Sequence, residues 1–383
     1  MAEARQRLAV VTGANRGVGF AICKQLGSHG IKVVLAARDE KRGLEAVEKL
    51  KELALPGHVV FHQLDVTNSA SIASFAEFIT TQFGKLDILV NNAAIVGAHV
   101  DGEALAALGV VVDPGLVDWG KIYSENYALV EKSLRTNYFG TKELTRALIP
   151  LLQCSNLPKI VNVSSSLGRL EVMPNGRPKE VLSDVENLTE EKIDEILNEF
   201  LNDYKEGSDE TKGWPISNSG YIISKVALNA YTRVLAKKYP SFSINAISPG
   251  YVKTDMNHGN GVLTSDQGAE PIVRLALLYC DSPSGRFFSR DNTKKINPNF
   301  EDWQAHDQAL LGGWLMNSMT VDIATQVLHA KLQSNFGMKL KVLQVRTPGS
   351  PISKSDPMIK TLNVLNSEYN LVVVKLSDQT NIS

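Results

Sequence analysis

The sequence is poor in cysteine, in net charge and in long apolar runs. Cys23, Cys154 and Cys280 are spread over 383 residues, and so few, so widely spaced, frame no disulfide scaffold and offer no metal-ligand spacing. They read as reduced, mostly core thiols. Forty basic against 41 acidic side chains leave a formal charge of −1. Without a field of one sign, nucleic-acid or membrane-surface partners lose their usual electrostatic attraction. No apolar run approaches the roughly 18 residues of a membrane span, and Met1–Arg7 is a short polar lead with no secretory h-region. A cytoplasmic protein with neither nucleic-acid nor membrane partners is therefore expected. Asn162-Val-Ser164 and Asn187-Leu-Thr189 spell glycosylation acceptors that are idle without a secretory signal. What is present is 43% hydrophobic and 21% charged residues, an ordinary globular composition able to fill a large core.

Residues 8–14, 31–37, 58–64, 86–90, 159–164 and 242–247 are short apolar runs bounded by Gly, Pro, Asn or Asp, the pattern of strands buried on both faces. Gly285-Arg-Phe-Phe288 reads as a last strand. Segments with helical spacing lie between them, including Gly19–His29, Asp39–Leu53 and Ser69–Phe83. Alternation of this kind predicts an α/β fold, a doubly wound parallel sheet with helices on both faces. Gly97–Ser133 and Gly168–Asn218 interrupt the rhythm, and insertions of that size roof a site or block an interface. Beyond residue 292 the alternation stops, and 346–357 is rich in Pro, Ser and Gly. A boundary there divides the chain into 1–292 and a tail of 293–383. The tail is expected to be partly helical and partly disordered.

Thr12-Gly-Ala-Asn-Arg-Gly-Val-Gly19 follows the first strand and opens the first helix. Glycine suits such a loop because backbone N–H groups must approach a pyrophosphate closely, at a helix N-terminus that supplies donors and a favourable dipole. Where an acidic residue would hold a free ribose 2′-hydroxyl, the second strand ends in Ala36-Ala37-Arg38. Arg38, helped by Arg16, should therefore prefer a 2′-phosphate. Asp39 is not assigned to the ribose. Asp65-Val66, after the third strand, could hold the adenine edge, and Asn91-Asn-Ala-Ala94 lies at the same carboxyl edge of the sheet, along which ligands bind.

Tyr221-Ile-Ile-Ser-Lys225 puts a phenol and an ammonium one helical turn apart. A fixed positive charge favours phenolate, so Tyr221 is expected to titrate below the usual value of about 10. Ser164-Ser-Ser166 ends the fifth strand, Asn137 lies in the helical stretch Leu134-Arg-Thr-Asn-Tyr-Phe-Gly140, and Pro249-Gly250 follows the sixth strand. His58 and His62 bracket a strand without a completing Cys or carboxylate motif, so no metal is expected. Glu190-Glu191 and Asp194-Glu195 are expected to face solvent.

The order TGANRGVG, NNAA, LRTNYFG, NVSSS, YIISK and SPG resembles the short-chain dehydrogenase/reductases over about residues 5–290. The long insertion ahead of Tyr221, with Gly213-Trp-Pro215, is similar to the plant branch of menthone/neomenthol and salutaridine reductases, with monomeric carbonyl reductases as wider kin. Ala94 stands where many members have Gly. The resemblance implies a Rossmann domain with Asn137, Ser165, Tyr221 and Lys225 catalytic, Ser165 being taken in preference to Ser164. It implies an NADP(H) site formed by Gly13, Asn15, Arg16, Gly17, Val18, Gly19, Arg38, Asp65, Val66, Asn92, Ala93, Tyr221, Lys225, Pro249, Gly250, Val252 and Thr254.

The implied reaction is hydride transfer between NADPH and a ketone or aldehyde, with a terpenoid or alkaloid ketone as the expected substrate. In it Tyr221 is the general acid, Lys225 lowers the phenol pKa and holds the ribose, Ser165 binds the carbonyl oxygen and Asn137 anchors a water. The competing class is a non-catalytic NADP(H)-binding sensor or scaffold. In many members the helix bearing the tyrosine packs on a partner subunit. An added helix at Thr189–Tyr204, burying Ile193, Ile196, Leu197, Phe200 and Leu201, predicts a monomer instead. Within the tail, Asn297–Trp303, Asp307–Leu315 and Leu362–Asn370 resemble the gag-like region of copia-type retroelements, read here as a fused fragment.

Overall fold

In this computed structural model, residues 6–107, 119–278, 284–289, 359–362 and 374–377 are described. The chain divides into two compact units, Met1–Ile296 and Asn297–Ser383. In the first, β1 (Leu8–Thr12), α1 (Gly17–Ser28), β2 (Lys32–Ala37), α2 (Glu40–Lys51), β3 (Val59–Gln63), α3 (Ser69–Phe83) and β4 (Ile88–Asn91) alternate as expected. An insertion follows, in which β5 (His99–Val100) and β6 (Tyr123–Ser124) pair antiparallel around α4 (Gly102–Ala107) and α5 (Trp119–Ile122). Residues 108–118 of that insertion lie outside the described set. The chain then runs through α6 (Tyr127–Leu134), a π-helical turn at Arg135–Gly140, α7 (Thr141–Leu152) and β7 (Lys159–Val163). The second insertion holds α8 (Arg177–Ser183) and α9 (Glu190–Glu206). It leads into α10 (Ser219–Lys238), β8 (Ser243–Ser248), α11 (Ser265–Leu277) and β9 (Arg286–Ser289).

The seven long strands form one parallel sheet in the order β3-β2-β1-β4-β7-β8-β9. Strand side chains alternate between faces. Val10, Val34 and Leu89 accordingly join α3, α6, α7 and α10 in one core, whereas Val11, Val33, Leu35 and Val90 join α1, α2 and α11 in the other. Each fully buried aliphatic side chain contributes roughly 2 kcal/mol of transfer free energy. The strand order reverses between β1 and β4, and a crevice opens there at the carboxyl ends of the strands.

The insertion helix α9 is capped by Thr189, whose side chain accepts from the Lys192 N–H, and ends at Gly207 with φ of 69°. Ile193, Ile196, Leu197 and Phe200 are buried and Leu201 partly so. Two carboxylates expected in solvent turn inward instead. Glu190 is 4% exposed and meets Arg146 and Lys238, while Asp194 accepts from Tyr138 and Lys142. The helix lies on the main body with one face, and cations on α7 and α10 neutralise the carboxylates that this buries.

Cys23 is buried, but Cys154 is exposed, a correction to its expected core position; it follows the last turn of α7, beyond the packed face. Cys280 lies outside the described residues. His62 packs edge-on against Phe75 and tilted over Phe78. In the second unit, β10 (Ile359–Leu362) and β11 (Val374–Ser377) pair antiparallel. No strand is expected from the sequence in this tail, which reads as partly helical and partly disordered. The remaining tail residues, including almost all of the gag-like segments, lie outside the described set. No described helix is long and apolar enough to cross a membrane.

Candidate active site

The glycine loop is held open by its neighbours. Thr12 Oγ1 accepts the Asn92 and Ala93 N–H groups at 3.0 and 2.9 Å, and Asn92 Nδ2 donates to the Thr12 and Gly13 carbonyls at 2.9 and 3.2 Å. Gly13 has φ of 62°, and a Cβ there would stand 2.8 Å from Ala93 Cα. A side chain at Gly19 would reach within 2.6 Å of Asn92 Nδ2. Both positions therefore need glycine for close backbone approach. The N-cap of α1, Arg16, makes no side-chain cap bond, so that helix end presents amide donors without a local acceptor.

A cleft of about 820 Å³ runs from this loop along the carboxyl edge. All the residues expected to bind cofactor line it, from Arg38, Asp65 and Val66 at one end to Tyr221 and Lys225 at the other. Asp39, which also lines the cleft, caps α2 by accepting the Arg42 N–H at 2.9 Å. Its bond orients the first turn of α2, which brings Arg42 into the cleft wall with Arg38. Arg16 forms an ion pair with Asp255, which lines the same cleft. Asp65 Oδ1 accepts from the Thr67 N–H and hydroxyl at 2.9 and 2.7 Å, fixing the turn after β3.

At the far end, Tyr221 and Lys225 stand one turn apart on α10. Lys225 is 2% exposed; its Nζ donates to the Val163 carbonyl at 2.8 Å and lies 5.7 Å from the Tyr221 ring centre. Ser165 hydrogen-bonds the Tyr221 phenol and accepts the Leu167 N–H at 3.2 Å. Ser164 also lines the cleft, but it is buried and its hydroxyl has no hydrogen-bond partner.

The expected lowering of the phenol pKa is not produced by the protein groups alone. Burial pushes Tyr221 up to about 12, against the opposing hydrogen bond from Ser165, and pushes Lys225 down to about 7. Desolvation disfavours both charged forms and is the largest cause of each shift.

Asn137 lies within the π-helical turn and, at 1% exposure, does not line the cleft. Its Oδ1 accepts the Ile95 N–H, while Nδ2 donates to the Ile95 carbonyl and to the hydroxyls of Ser133 and Ser224. The side chain thus pins the segment after β4 to α10 from behind the cleft.

Sequence reasoning missed Arg42, Tyr123, Asn218, Tyr251 and Asp255, all of which line the cleft. Arg42 alone had a usable signal, one helical turn beyond Arg38.

The fold, the glycine loop and this Ser-Tyr-Lys group at the strand ends define a nucleotide-dependent oxidoreductase class, and comparison with known proteins specifies it. A family described as short chain dehydrogenase matches residues 7–176. A (+)-neomenthol dehydrogenase of Arabidopsis thaliana is 56% identical over 299 residues, covering 77% of this chain and all of that protein. The solved salutaridine reductase of Papaver somniferum has a TM-score of 0.69 and 50% identity, over 74% of this chain and 99% of that one. Carbonyl reductase [NADPH] 1 of Mus musculus is 35% identical over 307 residues, 76% of this chain and 98% of that protein. The chain belongs to the short-chain dehydrogenase/reductase family.

Proposed function

We propose that this protein is an NADPH-dependent carbonyl reductase, able in reverse to oxidise the alcohol, and that its substrate is a terpenoid or alkaloid ketone. The observation that carries the reading is one cleft with Ser165, Tyr221 and Lys225 at one end and Arg38 and Arg42 at the other. The cofactor fits the residues present. The α1 N-terminus faces the pyrophosphate position with free donors, Gly13 and Gly19 leave room for backbone approach, and the two guanidiniums suit a 2′-phosphate. When bound, NADPH supplies the hydride.

Tyr221 protonates the oxygen of the reacting carbonyl, and Ser165 donates a hydrogen bond to that oxygen as negative charge develops. Lys225, held by Val163, supports the phenolate that remains and orients the nicotinamide ribose. Because the Asn137 side chain is committed to protein partners, anchoring of a relay water falls to the backbone of its π turn. Asp65 and Val66 would hold the adenine, and Asn15, Gly17, Val18, Pro249, Gly250, Val252 and Thr254, which line the same cleft, would complete the cofactor wall.

The apolar seam of α9 against α6 and α10 supports a monomeric catalytic domain of residues 1–292, and the nearly balanced charge of the chain fits a cytoplasmic protein without nucleic-acid or membrane-surface partners. The tail, 293–383, is read as a fused fragment that takes no part in catalysis.

The competing sensor or scaffold reading requires no turnover, yet Ser165, Tyr221 and Lys225 are all in place. NADPH oxidation with a panel of menthone-like ketones and simple aromatic aldehydes tests the proposal. Turnover of the ketones is expected, and cofactor binding without any turnover would favour the sensor.

A further inference from the structure

The helix carrying Tyr221 begins without a cap of its own. Asn218, at the N-cap of α10, sits in the left-handed region at φ of 51° and makes no side-chain bond to the helix. Its buried Oδ1 has no hydrogen-bond partner. The first N–H groups of a helix have no intrahelical acceptor, and leaving them unpaired in a buried setting is costly.

A carboxylate from far away in the chain fills this gap. The Ser219 N–H donates to Glu125 Oε2 at 2.7 Å and the Gly220 N–H to Oε1 at 3.0 Å, across 94 and 95 residues. The Ser219 hydroxyl adds a third bond, at 3.1 Å. Glu125 stands between β6 and the N-cap of α6, and its reach depends on tight packing of α6 against α10. A Cβ on Gly220 would come 3.0 Å from Val130 Cα, so glycine there permits the approach. Tyr221 is the next residue along.

We propose that Glu125 is a positioning residue: its ionised carboxylate holds the first turn of α10 and thereby aims the Tyr221 phenol at Ser165 and the substrate carbonyl. The inference rests on the carbonyl-reductase reading above. A negative group is favourable at a helix N-terminus, and both of its oxygens are engaged by the turn that precedes the phenol.

Burial raises the Glu125 pKa above the ordinary carboxylate value, against the three hydrogen bonds, and the Asp209 charge raises it further. Tyr204 of α9 shares this field, and the charge on Glu125 helps raise that phenol. Because the folded-state value is raised, ionisation of Glu125 costs the folded state stability as pH rises through it. A cap kept only for stability would gain from neutrality, whereas a positioning role needs both oxygens as acceptors. Protonation on the acid side turns one oxygen into a hydroxyl and weakens its hold on the turn.

The test compares full-length wild type, Glu125→Gln and Glu125→Asp. It measures kcat and KM for a ketone over roughly pH 5 to 8, NADPH affinity by fluorescence quenching, and Tm. Glu125→Gln is expected to lower kcat about tenfold, the scale of one charge-assisted hydrogen bond, with NADPH affinity within about twofold of wild type. Its profile should lack the acid limb attributed to Glu125, and Glu125→Asp should restore that limb and part of kcat. Wild-type kcat and an unchanged profile in Glu125→Gln overturn the inference. So does a loss of NADPH affinity and Tm that parallels the loss of kcat and is not relieved in Glu125→Asp. Absence of turnover by the wild type overturns the carbonyl-reductase reading itself, and the inference with it.

Discussion

Lys225 Nζ donates to the Val163 carbonyl at 2.8 Å, tying the second turn of α10 to the last residue of β7. Ser165 lies two residues beyond Val163, and Tyr221 one helical turn before Lys225. One hydrogen bond therefore registers the two hydroxyl groups that meet at the end of the cleft.

Tyr221→Phe keeps the ring and removes the phenolic donor. Turnover is expected to fall by roughly two or more orders of magnitude while NADPH binding persists. Steady-state kinetics and cofactor titration check this, and a near wild-type kcat would place the general acid elsewhere.

Arg38 and Arg42 should together set cofactor choice. Replacing either by Ala is expected to weaken NADPH about tenfold to a hundredfold in kcat/KM, the scale of lost charge-assisted bonds to a phosphate, while NADH is little affected. Equal wild-type kcat/KM for the two cofactors would refute a 2′-phosphate site.

Asp87 predicts an acid limb in stability. Burial acts to raise its pKa, but hydrogen bonds from Ser155, the Leu8 N–H and Lys85 outweigh it, and the net shift is downward. A lowered carboxylate contributes stability that is present above its unfolded-state value and lost as pH falls through its folded value. Asp87→Asn should destabilise the protein by about 2–4 kcal/mol near neutrality, and the gap to wild type should narrow on acidification. Urea unfolding at several pH values measures it; a pH-independent gap would mean that the charge contributes nothing.

A protein ending at residue 292 should be a fully active monomer. Sedimentation at micromolar concentration checks the mass, since α9 covers part of α10 with Ile193, Ile196, Leu197 and Phe200. A stable dimer would leave α9 with a role at the cleft mouth only. Loss of activity on truncation would give the tail a part in the enzyme.

The sequence by itself determined the features that depend on neighbours along the chain. Apolar runs between helical segments marked the parallel sheet, because a strand buried on both faces has no polar alternation to disguise it. The glycine loop and the Tyr221–Lys225 spacing were legible because a strand-to-helix turn and a single helical turn fix their geometry within a few residues. Only the tertiary structure decided what pairs with what across the chain. It brought Glu125 to Ser219 and Gly220, Arg16 to Asp255, and Glu190 and Asp194 to cations on α7 and α10. It also reversed the expected phenol shift, since spacing shows that a lysine is near Tyr221 but not that both groups are buried deeply enough for desolvation to dominate.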